Sequence, residues 1–302
     1  MPLRSMLFVP GDAERKLAKG RASPADALIL DLEDSVAPER LLAARAMVYE
    51  FLVGQREQAR QRLWVRVNAL SSGRLFEDLT AVLPGRPAGI VLPKVDSYED
   101  IERVARALEA LESGQGLLVG STPLLVIATE TAAGLLSLAG YPQAAATHAA
   151  SARRLTGLTW GMEDLSAALG ARVKFDSAGA LRPIFELART SCLLAAAAIG
   201  IRAIDGVYVD FRNADGLRRE AEAARGDGFS GKLAIHPDQV AVINAAFTPT
   251  ESEVTWAHRV LRAFQAADGA GVAELDGQMI DRPHLRLAQR ILATVNQERD
   301  RP

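Results

Sequence analysis

Cysteine is almost absent: Cys192 is the single thiol in 302 residues. One thiol excludes an intrachain disulfide framework. Its setting, "SCLLAAAAIGI", reads as that of a buried, inert thiol. Histidine is scarce, with four residues and no ligand-like spacing, which argues against a zinc or copper centre. Long apolar runs are missing. The stretch around Cys192 is interrupted by Arg202 and is shorter than the roughly 20 apolar residues a bilayer span needs. The first residues, "MPLRSMLFVPGDAERK", carry neither a long apolar core nor a cleavage signature of a signal peptide. Positive charge is not in excess: 35 Lys and Arg against 37 Asp and Glu give a net charge of -2, without the basic footprint of nucleic-acid binding. No GxGxxG opens the first helical segment, which lowers a dinucleotide-binding reading. Internal repeats and low-complexity segments are also absent. These absences lead to the expectation of a soluble, cytoplasmic protein that binds neither nucleic acid nor membrane.

With 49% hydrophobic and 24% charged residues, the chain can bury a large core. Eight short apolar runs read as strands: "RSMLFVPG" from Arg4, "ALILDLED" from Ala27, "RLWVRVNA" from Arg62, "GIVLPKV" from Gly89, "LLVIATET" from Leu124, "GLTWGMEDL" from Gly157, "DGVYVDF" from Asp205 and "KLAIHPDQ" from Lys232. Helix-length segments such as "SYEDIERVARALEALE" lie between most of them. Alternating strands and helices imply a parallel sheet, and eight units in this length predict an α/β fold closed as a (β/α)8 TIM barrel. The predicted division is a barrel over residues 1–240 and a C-terminal lid with helices over 241–302. In the latter, "DGAGVAELDGQMIDRP" has the turn residues of a hairpin.

Polar groups gather at the strand ends: Gly11, the Asp31–Asp34 cluster, Arg66 with Asn68, Lys94, Glu130, Glu163 with Asp164, Asp210 and His236. In a barrel these ends share one face, where catalytic residues of this architecture sit. Within "DALILDLEDSVAP", Asp31, Glu33 and Asp34 follow an apolar run, a costly arrangement unless something positive lies against them. Strand alternation predicts that Asp31 and Glu33 share the interior face and that Arg66 shares a face with Asn68. It also groups Glu130 with Leu124, Val126 and Ala128, and Asp164 with Trp160 and Met162. Two converging carboxylates suit Mg²⁺, which takes oxygen ligands and keeps several waters. The alternative is a carboxylate pair bridged by Arg or Lys. Arg66 can grip a carboxylate or oxyanion through two hydrogen bonds, or can pair with the Asp31–Asp34 cluster. Lys94 reads as a partner for strand-end carboxylates. His236 is either structural or placed to meet an acyl group.

The fragments "RSMLFVPG", "LILDLEDSV", "VRVN", "LPKV", "ETAAGL", "WGMEDL", "GFSGKLAIHP" and "GQMIDRP", in this order, resemble the citrate lyase β-subunit-like family. That family belongs to the HpcH/HpaI aldolase/citrate lyase group, with malyl-CoA and citramalyl-CoA lyases. The resemblance runs from Arg4 to about Ala288. It implies a (β/α)8 barrel, usually a homotrimer, that uses Mg²⁺ and a coenzyme A thioester as substrate. By position, Glu130 and Asp164 match the metal ligands, Arg66 the substrate-binding arginine, and Glu33 and Asp34 the carboxylates beside the metal. Asp281 matches a lid aspartate that reaches a neighbouring subunit's site as acid or base. Arg15, Lys16 and Lys19, with Arg21, could meet the phosphates of coenzyme A or form a solvated helix face. The implied activity is carbon–carbon cleavage of a 3-hydroxyacyl thioester of the malyl, citramalyl or citryl type. A β subunit of a citrate lyase complex would also need acyl-carrier and transferase partners. A non-thioester pyruvate aldolase, a malate synthase- or thioesterase-like variant and a non-catalytic subunit are the competing readings.

Overall fold

A computed structural model describes residues 3–55, 60–267 and 271–299. Eight parallel strands close into one barrel in chain order: β1 (Ser5–Pro10), β2 (Ala27–Asp31), β3 (Arg62–Arg66), β4 (Gly89–Leu92), β5 (Leu124–Ile127), β6 (Leu155–Thr159), β7 (Arg202–Asp205) and β8 (Gly231–Ala234), with β8 returning to β1. Helices on the outside cover the sheet, as all-parallel sheets require. The strands are buried on both faces, and alternation sorts their side chains. Met6, Ile29, Trp64, Val91, Leu125 and Ile204 fill the barrel interior. Their neighbours Leu7, Leu28, Leu30, Val65 and Ile90 pack outward beneath the helices.

Two strand assignments differ from the sequence reading. β7 is "RAID", ending at Asp205 where the expected strand began. The helix Pro183–Ile199 stops at Gly200, which takes a left-handed φ of +83°, so the strand starts almost at once. Val207 and Val209 then lie in a loop despite their strand-like composition. β6 ends at Thr159, and Met162 to Leu169 form a helix capped by Gly161. Alternation therefore does not apply to Met162 or Asp164.

The boundary expected at residue 240 falls inside the helix Pro237–Phe247, which packs on β1 and β8 as part of the barrel. The chain then forms the helix Glu251–Ala266, an antiparallel hairpin of β9 (Val272–Leu275) and β10 (Gln278–Asp281), and the helix Arg282–Arg299. Asp276 and Gly277 both take positive φ in the hairpin's two-residue loop, the combination of a type I′ turn. Ala257, Val260, Ile280 and Ala288 give this unit a small core of its own. Arg290 of its last helix lines a cavity with Leu3, Met6 and Leu125. That cavity opens at the N-terminal end of the strands, opposite the face where the polar strand ends gather.

Buried ion pairs tie the outer layer down. Arg154, before β6, meets Glu112 of the helix Tyr98–Gly114 through two hydrogen bonds of 2.8 and 2.6 Å, with neither side chain exposed. Burial alone would raise the Glu112 pKa; hydrogen bonds from Arg154, Thr122 and Gly120 outweigh it and bring the group down to about 2. A depressed carboxylate contributes stability above its unfolded pKa and loses it as pH falls toward the folded one. The pair is thus expected to add about 3 kcal/mol at neutral pH, lost between roughly pH 4.5 and 2. Glu112→Gln should lower stability by about 3–5 kcal/mol and flatten the acid limb of denaturant unfolding measured against pH; an unchanged acid limb would refute this.

Candidate active site

The C-terminal ends of the strands surround a cavity of about 390 Å³. Arg66 organises one side of it. Asp31 ends β2 directly opposite Arg66 in the β2–β3 register, with both side chains turned to the interior. The guanidinium grips Asp31 through two hydrogen bonds, Nε to Oδ1 at 2.6 Å and Nη2 to Oδ2 at 2.8 Å. Its Nη1 lies 2.9 Å from Glu33 Oε2 and 3.5 Å from Asp34 Oδ2. The Phe8 ring lies beside it, 4.8 Å from Cζ. Burial would raise the Asp31 pKa, but the Arg66 contacts hold it below the usual value. Asp31 also accepts hydrogen bonds from the backbone N–H groups of Glu33 and Ser35, fixing the loop that carries the other two acids. Asn68 steadies the same loop by donating to the Leu32 carbonyl.

Lys94 occupies the centre of the remaining acids. It follows β4 in a left-handed conformation, φ +51°, unusual for a residue with a side chain. Its Nζ lies 2.5 Å from Glu33, 3.0 Å from Asp34 and 3.4 Å from Asp164. Its backbone N–H donates to Glu130 Oε2 at 2.5 Å. One residue thus meets four carboxylates, Glu130 through the main chain alone. Burial pushes Glu33 up to about 7, the pull of Arg66 and Lys94 offsetting only part of it.

Glu130 and Asp164 come together by routes that strand alternation does not describe. Glu130 lies three residues beyond β5, and the turn after Ile127 brings it inward although Val126 and Ala128 face outward. Asp164 sits in the first turn of the helix Met162–Leu169. Gly161 makes the approach possible, since a Cβ there would lie 2.6 Å from Glu130 Cγ. Glu130 is 3% exposed, while the Asp164 side chain is 33% exposed. Burial drives the Glu130 pKa well above the ordinary value, and the nearby charges of Glu33 and Asp164 add to it. Glu130 is therefore a buried carboxyl beside two other acids, with one backbone N–H as its hydrogen-bond donor. This oxygen-only pair fits a hard cation such as Mg²⁺, which uses one or two carboxylates and retains open positions. Among the described residues no three His, Cys, Asp or Glu side chains form a closed cage.

The opposite wall is apolar, formed by Ile127, Trp160, Met162, Val207 and Leu233. Trp160 is anchored from outside the barrel: its indole N–H donates to Asp205 at 2.7 Å, and Asp205 is held by Lys232 at 2.6 Å and Arg189 at 3.2 Å. Sequence reasoning missed this anchor because Asp205 stood at the start of a misplaced strand. It also missed the backbone role of Lys94, since a positive φ leaves no mark in "LPKV".

The other expected site residues lie elsewhere. Arg15, Lys16 and Lys19 are exposed on the helix Glu14–Ala22 that follows β1. His236 caps the helix Pro237–Phe247 and stacks on Phe211, and Asp210 is an exposed loop residue. Asp281 ends β10 with its Oδ1 2.7 Å from His284 Nδ1, and it does not line this chain's own mouth cavity. If Glu130 and Asp164 are the cation site, millimolar Mg²⁺ should raise the thermal midpoint of the wild-type chain by binding the folded state alone. Glu130→Gln should abolish that rise, and Gly161→Ala should weaken it by crowding Glu130; retention of the full rise in Glu130→Gln would rule the pair out.

Residues 4–237 match the family model described as HpcH/HpaI aldolase/citrate lyase. The chain is 38% identical over 294 residues to the (3S)-malyl-CoA thioesterase of Cereibacter sphaeroides, covering 97% of this chain and 94% of that protein. It is 35% identical over 302 residues to the mitochondrial citramalyl-CoA lyase of Mus musculus, covering 97% and 86% respectively. A crystal structure of CitE from Mycobacterium tuberculosis in complex with magnesium, acetoacetate and coenzyme A superposes with a TM-score of 0.76 at 32% identity, covering 98% of each chain. The barrel, the acidic mouth and these similarities agree, and the chain belongs to the HpcH/HpaI aldolase/citrate lyase family.

Proposed function

We propose that the mouth cleaves a carbon–carbon bond in a 3-hydroxyacyl thioester of coenzyme A, releasing an acyl-CoA such as acetyl-CoA and a 2-oxo acid. The observation that carries this reading is the pairing of one buried, cation-poor carboxyl, Glu130, with Asp164 beside a fixed guanidinium, Arg66. Mg²⁺ bound there supplies Lewis acidity at the substrate's hydroxyl and carboxylate oxygens. Arg66 is rigidly held by Asp31 and Glu33. Its fixed positive charge stabilises the oxygen on which charge develops as the thioester leaves as an enolate. Glu33 and Asp34 hold Lys94 in place and keep the mouth's charge distribution fixed. The apolar wall excludes water from the enolate. Arg15, Lys16 and Lys19 are free of ion pairs among the described residues and suit the phosphates of coenzyme A.

Asp281 is the proton-transfer group in this reading: it delivers a proton to the enolate carbon, matching the one the 3-hydroxyl gives up to solvent as the carbon–carbon bond breaks and the 2-oxo group forms, or removes one in reverse. Its place outside its own chain's mouth cavity supports a homotrimer in which each lid serves a neighbour. Citryl substrates would extend the assembly to acyl-carrier and transferase subunits. A second reading, thioester hydrolysis on the same site, is favoured by the similarity to the (3S)-malyl-CoA thioesterase.

The test is turnover of malyl-CoA, citramalyl-CoA and citryl-CoA by the purified protein with Mg²⁺, following 2-oxo acid and free thiol separately. Glyoxylate, pyruvate or oxaloacetate is the expected product, and it names the substrate. Free thiol without 2-oxo acid would replace the lyase with the hydrolase. Asp281→Asn should lower turnover about 100-fold or more with thioester binding intact. Mixed oligomers of Asp281→Asn and Glu130→Gln chains should regain about a quarter of wild-type turnover, since half the mouths and half the lids are intact and pair at random. No recovery on mixing would argue against a shared site.

A further inference from the structure

A cavity of about 670 Å³ lies at the N-terminal end of the barrel, opposite the mouth. Three arginines line it, and no Asp or Glu does. Arg62 begins β3 and alternates with Trp64 and Arg66, so it points toward the barrel axis. Arg202 begins β7 and shares the interior face with Ile204. Arg290 comes from the helix Arg282–Arg299. Among the described residues none of the three guanidinium groups makes an ion pair or a side-chain hydrogen bond. The other inward-facing arginine, Arg66, is saturated by acids. Burial lowers the Arg202 pKa, and the like charge of Arg62 lowers it further. Trp64, Leu125 and Met6 supply the apolar part of the wall.

Arg62 and Arg202 are half-buried and repel each other with no counter-charge beside them, Arg290 stands exposed at the same cavity, and an anion among them would offset that repulsion. Guanidinium forks match carboxylate and phosphate oxygens in pairs. The volume is within the range of small-molecule sites and exceeds the needs of a single inorganic ion. We infer that this cavity is a second ligand site, distinct from the mouth, and that it takes a small multivalent oxyanion, a polycarboxylate or phosphorylated compound, on Arg62, Arg202 and Arg290. Because Arg290 lies about two turns into the helix that begins at Arg282, a bound anion would pin that helix to the barrel floor.

The test uses the full chain with citrate and inorganic pyrophosphate as probes, and acetate at equal ionic strength as control. Isothermal titration should give saturable binding of citrate, pyrophosphate or both, and none of acetate; which probe binds distinguishes polycarboxylate from phosphate recognition. Arg290→Gln, on an exposed helix position, should weaken binding about tenfold, and Arg62→Gln/Arg202→Gln should abolish it. Glu130→Gln/Asp164→Asn should leave it unchanged, separating this site from the mouth. Without anion, Arg202→Gln should raise the thermal midpoint by relieving the repulsion, a result that needs no ligand. Absence of saturable binding of both probes, or full binding retained in Arg62→Gln/Arg202→Gln, would overturn the inference.

Discussion

The mouth of this barrel depends on one buried pair, Arg66 with Asp31. The β2–β3 register sets the two side chains opposite each other, and their two-pronged contact is buried at the edge of the mouth. Removing either partner of such a pair costs about 3–5 kcal/mol, because the survivor is left charged and buried. The rest of the site extends from it as alternating charge: Asp31, Arg66, Glu33, Lys94, Asp164. Asp31 also orders the loop behind it through the main chain. Glu130 is the acid this chain of contacts leaves without a side-chain cation, and that gives the site its chemical capacity.

A second class of buried charge lies outside the sheet and holds the barrel to its helices. Lys232 and Asp205 sit side by side on β8 and β7, with Glu220 and Arg189 reaching them from the helical layer. Arg154 with Glu112 acts similarly, while Arg4 with Asp26 ties together the segments that lead into β1 and β2. The two classes meet at Trp160, whose indole nitrogen binds Asp205 while its ring forms part of the mouth wall. Rigidity of the scaffold is thereby transmitted to the site through a side chain rather than through the main chain.

Much of this was legible in the sequence. Eight apolar runs separated by helical segments fixed the barrel, and alternation placed Asp31 and Arg66 correctly because both lie within regular strands. It failed for Glu130 and Asp164, which follow turns where the period of two no longer holds. The two residues do lie together at the mouth, but not on the faces that alternation assigns them. β7 was displaced because "VYV" has a stronger strand composition than "RAID", and the decisive signal was the helix-ending Gly200. Nothing in the sequence marks Arg62 and Arg202, which stand at the starts of their strands rather than at the polar ends. Their lack of counter-charges emerges only when both strands point at one cavity.

The charge count at the mouth has a kinetic consequence. Asp31, Glu33, Asp34, Glu130 and Asp164 outnumber Arg66 and Lys94, and both cations are already engaged. With these acids ionised, an anion approaching this end of the barrel meets repulsion, whatever affinity its shape would give it. A divalent cation, or protons on the buried acids Glu33 and Glu130, weakens that repulsion. The mouth's electrostatics thus favour entry of a cation before an anion, a bias that a net charge of -2 for the whole chain conceals.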